Sequence, residues 1–146
     1  MSVLDVNVLI ALAWPNHLHH EVAHEWFRSR RSRGWATCTV TEMAFVRLST
    51  QPAVVKTTIT ASDAVSILES NMSAPEHEFW PLERPFHEME HEIRQRLVGH
   101  RQVTDAVLLD LAIRKGGCLT TFDSGVESLL AADSKYRSAL EILPAE

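Results

Sequence analysis

The 146-residue sequence has few cysteines, few glycines and no long apolar run. Its two cysteines, Cys38 and Cys118, lie in apolar, strand-like stretches, which predicts buried thiols in a reducing cytoplasm rather than a disulfide framework. No apolar run approaches the roughly twenty residues that cross a membrane. The N-terminal stretch lacks the basic residues of a secretory signal and carries Asp5. We therefore expect a cytoplasmic protein without a membrane span.

Positive charge is also in deficit. The chain has 14 Lys and Arg against 19 Asp and Glu, for a formal net charge of −5 at pH 7. This balance argues against binding nucleic acid through bulk charge, so a polyanionic partner would need a local basic patch or a bound cation. Apolar residues make up 45% of the chain, enough for a core. With no repeat or linker-like stretch, we expect residues 1–146 to form one domain.

Short apolar runs alternate with helical patterns along the chain. Strands are predicted at residues 2–5, 35–38, 77–82, 118–122 and 139–143. Helices are predicted at residues 8–14, 16–30, from 39, 62–72, 86–97, from 104 and 124–130. This alternation favours right-handed crossovers and a mostly parallel sheet of four to five strands. We expect a three-layer α/β fold with helices on both faces of the sheet.

The segment 103–123 brings two acids to one edge of the domain. Thr104 is a candidate N-cap with Asp105 in the first helical turn, and residues 118–122 form the returning strand. A helix of about twelve residues spans roughly 18 Å, and a strand of about five covers roughly 17 Å. Asp105 and Asp123 should therefore lie at the same level. Alternatively, Asp105 complements a helix dipole and Asp123 caps the next helix.

Two further acids are predicted at the same edge. Asp5 ends the first strand, and Glu42 lies in the first turn after the second. Gathered carboxylates repel one another unless a cation lies between them. Oxygen ligands favour Mg²⁺ or Mn²⁺, which can activate water for in-line displacement at phosphorus. Each acid also has a structural alternative: Asp5 as a helix cap, and Glu42 in a capping box with Thr39.

Four short motifs in order resemble those of the PIN-domain family. They are Asp5-Val-Asn-Val-Leu-Ile, Thr41-Glu42, Val103-Thr-Asp-Ala106 and Thr120-Thr-Phe-Asp123. Within that family the chain is most similar to the VapC-type toxins of bacterial toxin–antitoxin pairs. The resemblance spans nearly the whole chain and implies a PIN-like fold.

The resemblance also implies an activity and partners. It implies an endoribonuclease that uses Mg²⁺ or Mn²⁺, forms a homodimer and is held inactive by a small VapB-type antitoxin. The catalytic, metal-binding acids would be Asp5, Glu42, Asp105 and Asp123. Asn7 and Thr121 lie in the matching motifs and would support the site. We expect a 5′-phosphate product, since the sequence places no histidine pair to activate a ribose 2′-hydroxyl.

A competing motif occurs twice. His20–His24 and His87–His91 both match HExxH, the pattern that places two zinc ligands on one helical face. Such a pattern arises easily by chance in a chain with 8 histidines, and neither copy comes with an evident third ligand. A zinc metalloprotease is therefore the minor alternative.

A basic run follows the second predicted helix. Its arginines are Arg28, Arg30, Arg31 and Arg33. They are interpreted either as a solvated helix end that complements the dipole or as a phosphate-contacting rim for RNA. A non-catalytic RNA-binding module is a further alternative. A receiver-like phospho-acceptor domain is disfavoured, because residues 139–146 lack the lysine it needs after the last strand.

Overall fold

Five short strands form one parallel sheet in the computed structural model, which describes residues 1–145. The strands are β1 (Ser2–Leu4), β2 (Trp35–Thr37), β3 (His77–Phe79), β4 (Cys118–Thr121) and β5 (Leu140–Ile142). Their spatial order is β3-β2-β1-β4-β5, so the first strand of the chain lies at the centre. Every adjacent pair is parallel, which confirms the predicted sheet.

Helices connect these strands. The α-helices are α1 (Val6–Ala13), α2 (His20–Arg30), α3 (Thr39–Ser49), α4 (Pro52–Val55), α5 (Ala61–Met72), α6 (His91–Arg96) and α7 (Val103–Arg114). Short 3-10 helices occupy Arg31–Arg33, Phe86–Glu88, His100–Gln102, Ser124–Leu129 and Arg137–Ala139. No helix within residues 1–145 has the length and apolar character to cross a membrane.

Two cores on opposite faces of the sheet produce the three layers. Val3 belongs to the core beneath α6 and α7, whereas its neighbour Leu4 belongs to the core beneath α1, α2, α3 and α5. This split follows from strand geometry, because successive side chains point to opposite faces. Both residues are fully buried. The predicted α/β fold with helices on both faces is confirmed.

Several predicted helix boundaries need correction. The helix predicted at 16–30 begins only at His20, since Pro15 and the following residues form turns. Thr104 is not an N-cap, because α7 begins at Val103 and continues directly from a 3-10 helix. The helix predicted at 86–97 is split where Met89 and Glu90 adopt extended backbone angles. In each case local backbone geometry overrides the apolar pattern.

The two cysteines differ in burial. Cys38 is fully buried, as predicted, but Cys118 at the start of β4 is only half-buried. Both are free thiols. Burial, followed by the charge of Glu141, raises the pKa of the Cys118 thiol to about 11. It therefore stays protonated and unreactive at neutral pH.

Candidate active site

Asp5 stands where β1 ends and α1 begins. Its Oδ1 accepts a hydrogen bond of 2.7 Å from the backbone N–H of Val6, so it is the N-cap of α1. The structural alternative of Asp5 as a helix cap is therefore correct. Only 5% of Asp5 is exposed, and a carboxylate so deeply buried needs partners.

Asn7 and Thr121 supply those partners. The Thr121 hydroxyl donates to Asp5 Oδ2 at 2.7 Å, and the Asn7 side-chain amide donates to the same oxygen at 3.2 Å. The Thr121 hydroxyl also accepts the backbone N–H of Asp123 at 3.0 Å. The ends of β1 and β4 are thereby joined through the two residues predicted to support the site.

Three aspartates share one electrostatic environment at this edge. Burial, followed by the charges of Asp5 and Asp123, raises the pKa of Asp105 to about 6. Burial also raises the pKa of Asp5; hydrogen bonds from Thr121 and Val6 oppose this effect, and the charge of Asp123 adds to it. Asp105 at the start of α7 and Asp123 after β4 are therefore close enough to interact, as the lengths of the helix and the strand predicted.

Asp123 is the exposed member of this trio. Its Oδ1 accepts the backbone N–H of Gly125 at 2.8 Å, so it caps the 3-10 helix that follows β4. The alternative prediction that Asp123 caps the next helix is therefore correct. A cap uses one carboxylate oxygen, and the side chain still contributes charge to Asp5 and Asp105.

Glu42 is placed differently from the aspartates. It lies half-buried in the first turn of α3, and its Oε2 accepts a 3.3 Å hydrogen bond from the Thr37 hydroxyl. Burial raises the pKa of Glu42 and the bond from Thr37 lowers it, with no contribution from the three aspartates. The predicted capping box of Thr39 and Glu42 is wrong, because Thr41 accepts the backbone N–H of Cys38.

The donor chemistry at this edge suits a hard cation. Asp5, Asp105 and Asp123 offer oxygen ligands, and none of them forms a salt bridge to Lys or Arg in the described chain. As the side chains are oriented, however, residues 1–145 contain no group of three acids, histidines or cysteines able to hold an ion. The three aspartates fit a divalent metal in charge and ligand type.

The arginine run lies at the opposite edge of the sheet. It precedes the amino end of β2, and Arg30 and Arg33 line a polar pocket with Met1 and Gly34. Arg31 pairs with Glu76 at 3.0 Å, and Arg30 lies 3.8 Å from Glu141. This placement does not support a phosphate-contacting rim around the acids. Contact between RNA and this run stays a prediction.

Neither HExxH copy has the geometry of a zinc site. His20 and His24 lie on one face of α2, but their ring nitrogens bond the carbonyls of Ala11 and Leu12 at 2.7 and 3.1 Å. These carbonyls lie in the last turn of α1, where intrahelical partners run out. The second copy is split between a 3-10 helix and α6. The histidines of the first copy therefore cap a helix.

Two features of this edge went unrecognised in the sequence. Thr37 ends β2 and forms hydrogen bonds with both Glu42 and His77. A polar residue at the end of a predicted strand could have indicated this role. His19 stacks on Phe122 with ring centroids 4.8 Å apart, immediately beside Asp123. No local pattern connects residues so distant in the chain.

Comparison with known proteins agrees with this geometry. The family described as "PIN domain" matches residues 2–129. Ribonuclease VapC39 of Mycobacterium tuberculosis is 42% identical over 142 residues, covering 97% of this chain and 99% of the relative. Ribonuclease VapC38 of the same organism is 43% identical over 143 residues, covering 98% of each.

A solved structure shares the fold. It is a chain of the crystal structure of VapBC2 from Rickettsia felis bound to a DNA fragment from their promoter. The TM-score is 0.65 at 12% identity, and the match covers 98% of both chains. At that identity the likeness concerns the fold, whereas the two mycobacterial relatives carry the sequence relationship. The chain belongs to the PIN-domain family, and within it to the VapC ribonucleases.

Proposed function

We propose that this chain is the toxin of a toxin–antitoxin pair, an endoribonuclease that hydrolyses RNA phosphodiesters with Mg²⁺ or Mn²⁺. One observation carries the proposal: Asp5, Asp105 and Asp123 lie at one end of the parallel strands, and none of them is paired with a basic side chain within residues 1–145. Burial and the neighbouring aspartate charges raise the pKa of both Asp5 and Asp105. A fold accepts such repulsion where a cation is bound in the working state. The two relatives named ribonucleases, at 42% and 43% identity, support the same reading.

The three aspartates would hold the ion, and Asp5 is the most firmly positioned of them. Its two oxygens are fixed by Val6, Asn7 and Thr121, so its direction is set before any ligand arrives. When bound, a divalent ion supplies positive charge for the phosphoryl group and acidifies water. Asp105 and Asp123 would join Asp5 as ligands, and Glu42 would reach the ion from the first turn of α3.

Charge explains why RNA needs a cation at this edge. The chain carries a net charge of −5, and the acidic edge repels phosphate. A bound divalent ion reverses the local sign where the scissile phosphate would lie. When water attacks phosphorus and the ribose 3′-oxygen leaves, the products are a 5′-phosphate and a 3′-hydroxyl. When the ribose 2′-hydroxyl attacks and the 5′-oxygen leaves, the product is a 2′,3′-cyclic phosphate. The proposed chemistry gives the former.

Partners follow from the same assignment. We propose a small VapB-type antitoxin in the cytoplasm, with an arginine that reaches the carboxylates and takes the place of the metal charge. We also propose a homodimer. The side chains Met43 on α3 and Val65 on α5 are 59% and 49% exposed, and apolar side chains of this size favour a buried contact.

The test is a cleavage assay on the purified chain freed of its antitoxin. Labelled RNA is incubated with EDTA, then with increasing Mn²⁺ or Mg²⁺, and the product ends are analysed. We expect no cleavage in EDTA, restored cleavage with either metal and 5′-phosphate ends. Full activity in EDTA or cyclic-phosphate products would contradict the proposal. RNA binding without cleavage at any metal concentration would identify the non-catalytic module instead.

A further inference from the structure

Thr37 joins a histidine to a candidate catalytic acid. Its side chain is fully buried at the end of β2. The hydroxyl oxygen lies 2.8 Å from Nε2 of His77 and 3.3 Å from Oε2 of Glu42. In the sheet His77 is directly opposite Trp35, so Thr37 and His77 form a diagonal pair across β2 and β3.

The number of available protons limits which group donates in the two hydrogen bonds of Thr37. A threonine hydroxyl has one hydrogen to donate, and an ionised carboxylate only accepts. If Thr37 donates to Glu42, then Nε2 of His77 must carry a proton and donate to Thr37. If His77 held its proton on Nδ1, Thr37 would donate to His77 and Glu42 would lose its bond. The proton position on His77 therefore decides whether Glu42 is held.

The surroundings of His77 fix its ring. Trp35 contacts it edge-on, with ring centroids 4.6 Å apart. Burial lowers the pKa of His77, and the charge of Glu78 only partly opposes this effect, so the ring is neutral at neutral pH. A neutral ring has a single N–H, and a Thr37 hydroxyl that donates to Glu42 requires this N–H to be on Nε2.

We propose that His77 and Thr37 are positioning residues that orient the Glu42 carboxylate toward the bound divalent ion. The inference rests on the proposed function and extends it to two residues outside the family motifs quoted above. Asp5 is held directly by Asn7 and Thr121. Among residues 1–145, the Glu42 carboxylate has a hydrogen bond only from Thr37, whose hydroxyl is directed by His77. Outer hydrogen-bond partners of this kind set ligand direction.

Matched variants separate this role from packing. Thr37→Val removes the hydroxyl and keeps the shape, while Thr37→Ser keeps the hydroxyl. His77→Leu removes the donor, while His77→Gln keeps an N–H near the Nε2 position. His87→Leu is the control, since this exposed histidine contacts neither Thr37 nor Glu42. Each variant is assayed for Mn²⁺ affinity by electron paramagnetic resonance without RNA, and for kcat and KM with RNA.

We expect Thr37→Val and His77→Leu to weaken Mn²⁺ binding about tenfold or more. Their kcat should fall in parallel, with the KM for RNA unchanged. Thr37→Ser, His77→Gln and the control should stay near the wild type. Unchanged Mn²⁺ affinity in Thr37→Val and His77→Leu, or no Mn²⁺ binding by the wild type, would overturn the inference. If the variants lose Mn²⁺ but no protein cuts RNA, the proposed function fails and the positioning role stands.

A measurement on the wild type covers the case in which Thr37→Val does not fold. Long-range proton–nitrogen NMR spectra report which imidazole nitrogen carries the proton, and His77→Gln identifies the signal of His77. We expect the proton on Nε2. A proton on Nδ1 alone would overturn the inference, because Thr37 would then have to donate to His77 rather than to Glu42.

Discussion

The carboxyl and amino edges of the sheet differ in whether their charged side chains are paired with opposite charges. At the carboxyl edge, burial and neighbouring aspartate charges raise the pKa of Asp5 and Asp105, and neither these two nor Asp123 is paired with a basic side chain in the described chain. At the amino edge, Arg30 and Arg31 stand beside Glu141 and Glu76. Surface pairs of the second kind contribute little to stability. The acidic edge holds unrelieved repulsion, which indicates where a ligand of opposite charge belongs.

Removing one buried acid should have the largest effect. Asp5→Asn keeps the shape and the capping oxygen but removes a charged ligand. We expect RNA cleavage to fall about a hundredfold or more, equivalent to roughly 2.7 kcal/mol in the activation barrier. The control is Asp133→Asn, an exposed residue away from the trio. Wild-type turnover in Asp5→Asn would show that the acidic edge is not the catalytic one.

Removing the charge of Asp105 should stabilise the metal-free protein. The folded state raises the pKa of Asp105 from 3.8 to about 6, so unfolding releases protons between these values and stability falls as the pH rises through that window. Asp105→Asn should therefore gain about 1 kcal/mol at pH 7.5, since screening reduces the full effect. Melting in EDTA at pH 7.5 and 4 measures the gain, which should vanish at the lower pH. A destabilised variant at pH 7.5 would contradict the assigned repulsion.

The same repulsion predicts competition between protons and metal. Below pH 6 Asp105 is protonated in the metal-free protein and holds an ion poorly. We expect the Mn²⁺ concentration for half-maximal cleavage to rise as the pH falls from 7 to 5. Saturating Mn²⁺ should largely restore the rate. A half-maximal concentration independent of pH would remove Asp105 from the ligand set.

The helix that carries Asp5 can be weakened at its far end. His20→Ala removes the bond to the carbonyl of Ala11 and should cost about 1 kcal/mol of stability, with kcat little changed. Denaturant unfolding measures the loss, and His87→Ala is the exposed control. If the untagged wild type contained stoichiometric zinc and His20→Ala lost it, His20 would be a zinc ligand rather than a helix cap. The metalloprotease hypothesis would then be favoured.

The smallest effect is expected at the amino edge. Arg31→Ala removes an exposed ion pair with Glu76 and should leave the free energy of unfolding almost unchanged in denaturant unfolding. Reversing Arg28 and Arg33 to glutamate should leave kcat unchanged, because this edge lies opposite the acids. A salt-dependent rise in KM would place RNA on this surface as well. A loss of kcat as large as that of Asp5→Asn would erase the distinction between the two edges.

The fold was predictable because its signals are local and periodic. Alternating apolar runs and helical patterns predict the parallel sheet, and the matching lengths of the helix and strand between Val103 and Asp123 predict the shared edge. Boundaries failed where turn geometry intervened, as in the residues around Pro15 and at Met89. The sequence pattern contains no information on backbone angles at such points.

The candidate site was predictable in part for the same reason. Strand ends identify Asp5 and Asp123, but periodicity cannot tell that Glu42 would lie outside the mutual influence of the aspartates. It also cannot place the arginine run relative to the acids. The partnership of Thr37 and His77 depends on which strands become neighbours, and that is decided by the whole sheet.

The central position of β1 determines when the acidic edge can exist. Asp5 leaves the ribosome 116 residues before its partner Thr121. A nascent chain that ends before β4 contains Asp5 without Thr121 or Asp123. It therefore cannot join the two strand ends. Translation thus delays the assembly of this edge until β4 has been made.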